Sequence, residues 1–317
     1  MKILIVQIGR IGDMVLTTPM FRALADHVPG AEIHVLASPR GLPVLQGNPH
    51  VKKVIVYRKD PFSRLAIIFR LWRTRYDWLI DPKDHQSREG ALLARISRAK
   101  NKVGYNGDGG QTFSIGIPSQ NENAALHAIA RNLASLRPLG VSCDAGNRPD
   151  LFPDALLQKE IRRQFPHDGA AIVLLNISAG KIIRRWSVEK WAQAAAFCLA
   201  RGLRVLISCQ PSDARDAAEL HALQPGAAIY HSSTINDMIA LMPLVNLVVT
   251  PDTAVVHIAS AFNVPQIALF PSVEWNLNKF LPLSSLSVVV QPEKGEPVCT
   301  IPAEKVLGEI KKMLETI

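Results

Sequence analysis

Along the chain, short continuous apolar runs alternate with segments whose apolar residues recur at helical spacing. "KILIVQI", residues 2–8, reads as a buried strand, "DMVLTTPMFRALADHV", residues 13–28, as a helix and "AEIHVLAS", residues 31–38, as the next strand. Together they make a βαβ unit. The pattern repeats in strand "VKKVIVY", helix "FSRLAIIFRLWRTR", strand "DWLID", helix "GALLARISRA" and a short apolar run around "KVGY". A polar, proline-containing stretch, "VSCDAGNRPDLFPD", then reads as the approach to a linker. Beyond it "ALLQKEIRRQFPHDGA" gives a helix and a turn. Strands "AIVLLNI", "LRVLISC", "AAIYHS", "NLVVT" and "PQIALF" follow, separated by helices "SVEKWAQAAAFCLAR", "DARDAAELHAL", "TINDMIALMPL" and "AVVHIASAF". Two such series predict an α/β protein of two doubly wound parallel-sheet domains, residues 1–155 and 156–317. Ligands are expected at the carboxyl ends of the strands, with the cleft between the domains as the active site.

Composition narrows the class. A chain of 317 residues, 48% hydrophobic and 20% charged, is globular and long enough for two cores. Its N-terminus has a short apolar run and no small-residue cleavage site, so it reads as a strand and not as a signal peptide, and no run approaches a membrane span. Cys143, Cys198, Cys209 and Cys299 lack CxxC or zinc-type spacing, which fits reduced thiols of a cytoplasmic protein and argues against a metal site.

Charge separates the halves. Residues 1–150 hold 21 Lys+Arg against 12 Asp+Glu, a balance of +9, whereas residues 151–317 hold 15 against 15. The asymmetry points to an anionic partner for the first half, or to a merely soluble basic surface. Nucleic acid is the weakest of the specific partners, because no aromatic-basic interleaving or nucleic-acid motif is present, and none is expected. The helix over residues 62–75 is basic and apolar, but Arg64, Arg70, Arg73 and Arg75 do not share one face, so it is read as a packed helix in preference to a membrane-surface one.

Three strand-end turns carry candidate chemistry. "VQIGRIGDMVLTTP" places Asp13 after Gly9 and Gly12, where a phosphate would be repelled. A carboxylate there can act as a fixed base towards an attacking hydroxyl, and Asp is equally a favoured helix N-cap. "NISAGKIIRRWSVEKW" sets Lys181, Arg184 and Arg185 beside a Ser/Gly turn, as suits a diphosphate or simply a solvated loop. "NLVVTPDTAVVHIASAF" delivers Asp252 and Thr253 to a helix start with His257 near its first turn, either for a ligand's phosphates or as caps and a polar interface residue. A dinucleotide oxidoreductase is disfavoured, since "GRIGD" lacks the GxGxxG spacing.

Taken together, "ILIVQIGRIGDMVLTTPMFRAL", "YDWLIDPKDHQS", "HAIARNLASLRPLGV", "RWSVEKWAQ", "VVTPDTAVVHIASAFNVPQIALFPS" and "CTIPAEKVLGEIKKML" resemble, in the same order along nearly the whole chain, glycosyltransferase family nine, the bacterial lipopolysaccharide heptosyltransferases. The resemblance implies a GT-B fold, with an N-terminal acceptor domain and a C-terminal domain for a nucleotide sugar, usually ADP-L-glycero-D-manno-heptose. It implies inversion by a single displacement, with neither metal nor cofactor, and makes Asp13 the general base. On the donor side it places Ser178, Gly180, Lys181 and Arg184 near the phosphates, Asp213 at the ribose, and Asp252, Thr253, Ala254 and His257 in the third turn. Arg184 stands where the family often has lysine, and Ala254 where it has glycine. The acceptor would be the anionic lipopolysaccharide core, met by Gly12, Arg58, Lys59, Lys83 and Arg88, with peripheral contact at the anionic inner face of the cytoplasmic membrane. Transfer of another sugar to another surface glycan, or a catalytically silent nucleotide-sugar or lipopolysaccharide-binding protein, remain the alternatives.

Overall fold

The computed structural model of the chain describes residues 1–107, 110–141, 148–166 and 169–317, so Cys143 and part of the expected linker lie outside the described residues. It divides into two compact units, Met1–Leu151 and Phe152–Ile317, where the sequence expectation put the boundary after residue 155.

The first unit comprises β1 (Lys2–Gln7), α1 (Ile11–Val15), α2 (Thr18–His27), β2 (Glu32–Ala37), α3 (Leu42–Leu45), β3 (Val51–Val56), α4 (Pro61–Arg73), β4 (Trp78–Ile80), α5 (Arg88–Ile96), β5 (Asn101–Gly104), β6 (Ile115–Gly116) and α6 (Ala128–Ala134). The second comprises α7 (Ala155–Gln164), β7 (Ile172–Asn176), α8 (Val188–Leu199), β8 (Arg204–Ser208), α9 (Ala214–Leu223), β9 (Ala228–Tyr230), α10 (Ile235–Leu241), β10 (Leu247–Pro251), α11 (Ala254–Ala261), β11 (Gln266–Leu269), α12 (Glu274–Phe280), β12 (Ser287–Val290) and α13 (Ala303–Leu314).

Each unit holds a six-stranded sheet, ordered β3-β2-β1-β4-β5-β6 in the first and β12-β11-β10-β7-β8-β9 in the second. Every strand pairing among the described residues is parallel. Numbered within its own unit, each sheet reads 3-2-1-4-5-6, so the chain starts in the middle, winds out to one edge, then returns to wind out to the other. The loops after the two central strands diverge to opposite faces, and the crevice between them is the ligand position of such sheets. In the first unit those loops follow β1 and β4; in the second they follow β7 and β10.

The strands read as continuous apolar runs because helices cover both faces. Ile3 to Val6 and Val173 to Leu175 are wholly buried. Leu4, Val6, Leu36, Ile55, Leu71 and Leu79 belong to one core, and Val173, Leu175, Val205, Trp191, Val249 and Ile310 to another. Helix starts follow local chemistry. Asp60 accepts the N–H of Ser63 ahead of Pro61, Ser87 accepts from Gly90, and Thr234 with Asp237 forms a capping box on α10.

The expected single helix over 13–28 is two. α1 ends at Val15 and α2 begins at Thr18 with Pro19 in its first turn, where a missing N–H costs nothing. Between them the Thr17 hydroxyl donates to Asp13 O at 2.7 Å and the Thr18 hydroxyl to Val15 O at 2.7 Å. Asn132 of α6 donates to Leu16 O at 2.9 Å, so the break is held from outside as well. Among the described residues no helix is long and apolar enough to cross a membrane.

Candidate active site

In the first unit the turn after β1 is built around Asp13. Arg10, not Asp13, is the N-cap of α1. Asp13 is the third helical residue, and its Oδ2 reaches back to accept the N–H of Arg10 at 3.1 Å. The capping alternative raised by the sequence therefore holds from the other end of the turn, and it uses one carboxylate oxygen. Oδ1 accepts no hydrogen bond from the described residues, and Asp13 is only half-buried. Gly9 leaves room for this fold-back, since a Cβ there would stand 2.8 Å from Asp13 Oδ2 and 2.9 Å from Gln7 Oε1 and one of those side-chain ends would have to shift. Gln7, at the strand end, donates through Nε2 to Thr17 Oγ1 at 2.9 Å, and Ser38 donates to Gly9 O at 3.2 Å, which fixes the turn from both sides. Gly12 precedes Asp13 inside α1, half-buried.

Across the switch point, the loop after β4 contributes a group that sequence reading passed over. Asp81 is buried, packs against Gly90 and accepts the N–H of Lys83 at 3.2 Å; burial pushes its carboxyl up to about 6 against the pull of the Lys83 charge. Asp84 beside it is buried too and pairs with Arg131 at 2.6 Å, whose Nε donates to Leu126 O at 2.8 Å. Of the expected acceptor cations, Lys83 lies half-buried in this loop and Arg88 is exposed at the start of α5. Arg58 and Lys59 follow β3, at the sheet edge; both are exposed, and Lys59 lies 3.7 Å from Glu89.

In the second unit the structure brings the loops after β7 and β10 into one hydrogen-bonded cluster. Arg184 Nη1 lies 2.9 Å from Asp252 Oδ2 and donates to Asp252 O at 3.0 Å; Nη2 donates to Asn276 Oδ1 at 3.2 Å, and Asn276 Nδ2 donates to Asp252 Oδ2 at 2.7 Å. In this closed triangle Nη1 is engaged by Asp252 and Nη2 gives one hydrogen bond to Asn276, while the buried Nε lacks a partner. Arg184 thereby holds the Asp252 turn in place. The exposed cation of the loop is Lys181, whose side chain forms no ion pair with the described residues, next to Gly180, beside which a Cβ would meet nothing within 4 Å.

A second joint lies beneath. Asn176, buried at the end of β7, donates to Thr250 Oγ1 at 2.8 Å and Thr253 Oγ1 at 3.3 Å, and accepts from Ser208 Oγ at 3.3 Å. Buried Ser178 accepts the N–H of Gln210 at 2.7 Å. Thr253, not Asp252, caps α11, accepting the N–H of Val255 at 3.3 Å. Ala254 is the first residue of α11, and Asn263 is the only non-glycine of the described residues with positive φ, so alanine is unstrained there. His257 is buried on α11 with its ring 5.8 Å from that of Phe280 on α12.

Asp213, also buried, is held by Arg185: Nη2 donates to Oδ1 at 2.6 Å, while Oδ2 is buried without a partner. "RWSVEKW" is chiefly structural. Trp186 and Trp191 meet edge to face at 4.9 Å, Trp186 Nε1 donates to Ile301 O at 2.9 Å, and Ser187 caps α8. Asn276 and Asn176 were missed because an uncharged amide leaves no charge signal, Asn176 at the end of the apolar run of β7 and Asn276 among the polar residues of α12. Among the described residues no three His, Cys, Asp or Glu side chains group as metal ligands.

Comparison with known proteins decides the family. The sequence profile of glycosyltransferase family 9 (heptosyltransferase) matches residues 64–299, most of the chain. The chain belongs to glycosyltransferase family 9. Lipopolysaccharide heptosyltransferase 3 of Escherichia coli is 28% identical over 284 residues, covering 83% of this chain and 81% of that one. Family 9 structures share the fold. An E. coli ADP-heptose lipopolysaccharide heptosyltransferase II superposes with a TM-score of 0.81 at 20% identity, covering 100% of this chain and 99% of that one. An E. coli heptosyltransferase with ADP gives 0.78 at 16%, covering 99% and 100%. The two parallel sheets are thus those of a GT-B glycosyltransferase.

Proposed function

We propose that this family 9 glycosyltransferase transfers a heptose from ADP-L-glycero-D-manno-heptose to a hydroxyl of a lipopolysaccharide inner-core acceptor, with inversion and without a metal. The observation that carries the reading is Asp13: a half-buried carboxylate with one oxygen pinned to the Arg10 N–H and the other left to take a proton, beside a glycine whose added Cβ would press on the pinned oxygen. Such a base deprotonates the acceptor oxygen as it bonds to the anomeric carbon, while the bond from that carbon to the diphosphate breaks on the opposite side and ADP departs. One displacement inverts the centre.

The second unit supplies the donor half. Lys181, the amides of the Ser178–Gly180 turn and the N-terminus of α11 at Thr253 and Ala254 meet the charge on the departing diphosphate. Arg184 and Asn276 hold Asp252 in place, and His257 lines α11 behind it. Asp213 takes a ribose hydroxyl through Oδ2, the oxygen Arg185 leaves unpartnered. Lys83, Arg88, Arg58, Lys59 and the Gly12 backbone serve the anionic acceptor. Relatives named for lipopolysaccharide heptose transfer, and family structures named with ADP and with an ADP-fluoroheptose, support the choice of donor.

Calorimetric titration with ADP-heptose, UDP-sugars and GDP-sugars tests the donor. Selective binding of ADP-heptose is expected; preference for another nucleotide would move the enzyme to another glycan. Asp13→Asn tests the base. It should keep donor affinity and lower turnover on the order of 100- to 10,000-fold, and full activity would remove Asp13 from the chemistry.

A further inference from the structure

Helix α4 is apolar on two opposite sides. Ile67 and Leu71 face the core, as a packed helix requires. The expected packing stops there, because Phe62, Leu65, Phe69 and Trp72 are 84%, 64%, 58% and 57% exposed. Their spacing of three, four and three residues places them along one face, roughly opposite the buried line. Four large apolar side chains in one exposed row, three of them aromatic, exceed the scattered hydrophobes of an ordinary surface.

The surroundings say what covers the row. Between residues 58 and 75 stand Arg58, Lys59, Arg64, Arg70, Arg73 and Arg75 against a single acid, Asp60, giving 6 − 1 = +5. Asp60 is turned to the Ser63 N–H as the helix cap, and Lys59 shares its charge with Glu89 at 3.7 Å. Arg98, from the segment after α5, sets its guanidinium 5.9 Å from the Trp72 ring centre, and the Phe69 and Trp72 rings lie 6.5 Å apart. On α5, exposed Leu92 stands between exposed Arg88 and Arg95 at helical spacing.

We propose that α4 docks the protein on an anionic phospholipid bilayer, its outer row entering the headgroup boundary while the flanking arginines meet lipid phosphates. Long arginine stems suit this placement, since they keep the charge at the headgroups while their methylenes follow the apolar face. A second copy of the chain is a poor occupant, because pairing the face with itself would oppose two +5 segments. A helix of 13 residues lies along a surface and does not cross it. The inference goes beyond the transfer reaction and does not depend on it, because vesicles hold neither nucleotide sugar nor glycan acceptor.

The test is sedimentation of the full-length protein with vesicles of phosphatidylcholine alone and of phosphatidylcholine mixed with phosphatidylglycerol. Binding should need phosphatidylglycerol and weaken as salt is raised. Phe69→Ser with Trp72→Ser, and separately Arg73→Glu with Arg75→Glu, should each weaken it roughly tenfold or more with an unchanged circular dichroism spectrum. Phe62→Ser provides a milder third variant should the first fail to fold. Equal binding to both vesicle types, equal binding by the variants, or a wild-type dimer that the Phe69/Trp72 variant dissolves would each overturn the proposal.

Discussion

Gly9 is where the chain gives up a side chain so that a carboxylate can fold back over the backbone. Gly9→Ala forces Asp13 Oδ2 or Gln7 Oε1 to move, since the new methyl would stand under 3.0 Å from both. The expected result is a turnover loss on the order of 100-fold with a stability loss of about 1 kcal/mol, read from initial rates and urea midpoints. Equal losses in a variant whose Asp13 hydrogen bond survives would detach Gly9 from the chemistry. Asp81 gives a prediction in pH. Its folded carboxyl titrates at about 6, above the ordinary 3.8, so the folded state holds the proton more tightly than the unfolded chain. Stability from this group is therefore full below about pH 4 and declines as pH rises to about 6. Asp81→Asn should gain in urea midpoint at pH 8 and much less at pH 4; a gain independent of pH would mean that folding does not shift this carboxyl. At this scale the sequence exposed what was charged and set among glycines, such as Asp13 and Lys181. It hid Asn176 and Asn276, whose importance lies in distant partners, among them Thr250 and Asp252, 74 and 24 residues away.

Elements carry the proposed donor half-site by pinning turns to one another. The Arg184, Asp252 and Asn276 triangle ties the loop after β7 to the start of α11 and to α12, and breaking a buried pair of this kind costs about 3–5 kcal/mol. Arg184→Ala is accordingly expected to lower both stability and ADP affinity, whereas Lys181→Ala should lower ADP affinity roughly tenfold and leave the melting temperature in place. Calorimetry on both variants separates the positioning residue from the binding one; an unaffected affinity in Lys181→Ala would return the phosphate role to the loop amides. Element identity was readable because parallel strands covered on both faces give unbroken apolar runs. The break between α1 and α2 was not, since Met14, Val15, Leu16, Met20, Phe21 and Leu24 are buried on both sides of it and no apolar pattern marks the junction. Two threonine hydroxyls and the amide of Asn132 decide it, and these compete with the helix only once folded. The sequence likewise showed α4 to be basic and apolar, but which of its sides the core would use depended on the neighbouring elements.

At the scale of the molecule, two sheets of equal strand order have separate cores, and the net charge belongs to one of them. A ligand held by the second unit stabilises that unit first. ADP at about 100 times its dissociation constant adds about 2.7 kcal/mol to the state that binds it. A calorimetric scan should accordingly show ADP shifting the transition of Phe152–Ile317 more than that of Met1–Leu151. An equal shift of both would show one cooperative unit. The separation of the sheets also bears on how the chain is made. Among the described residues no strand of the first sheet lies beyond Gly116, and the first strand of the second begins at Ile172. During synthesis from the N-terminus, every strand of the basic half has left the ribosome before the other half's central strand is made. The nascent chain can thus close its first sheet without waiting for the second, and the order of translation sets the order of folding.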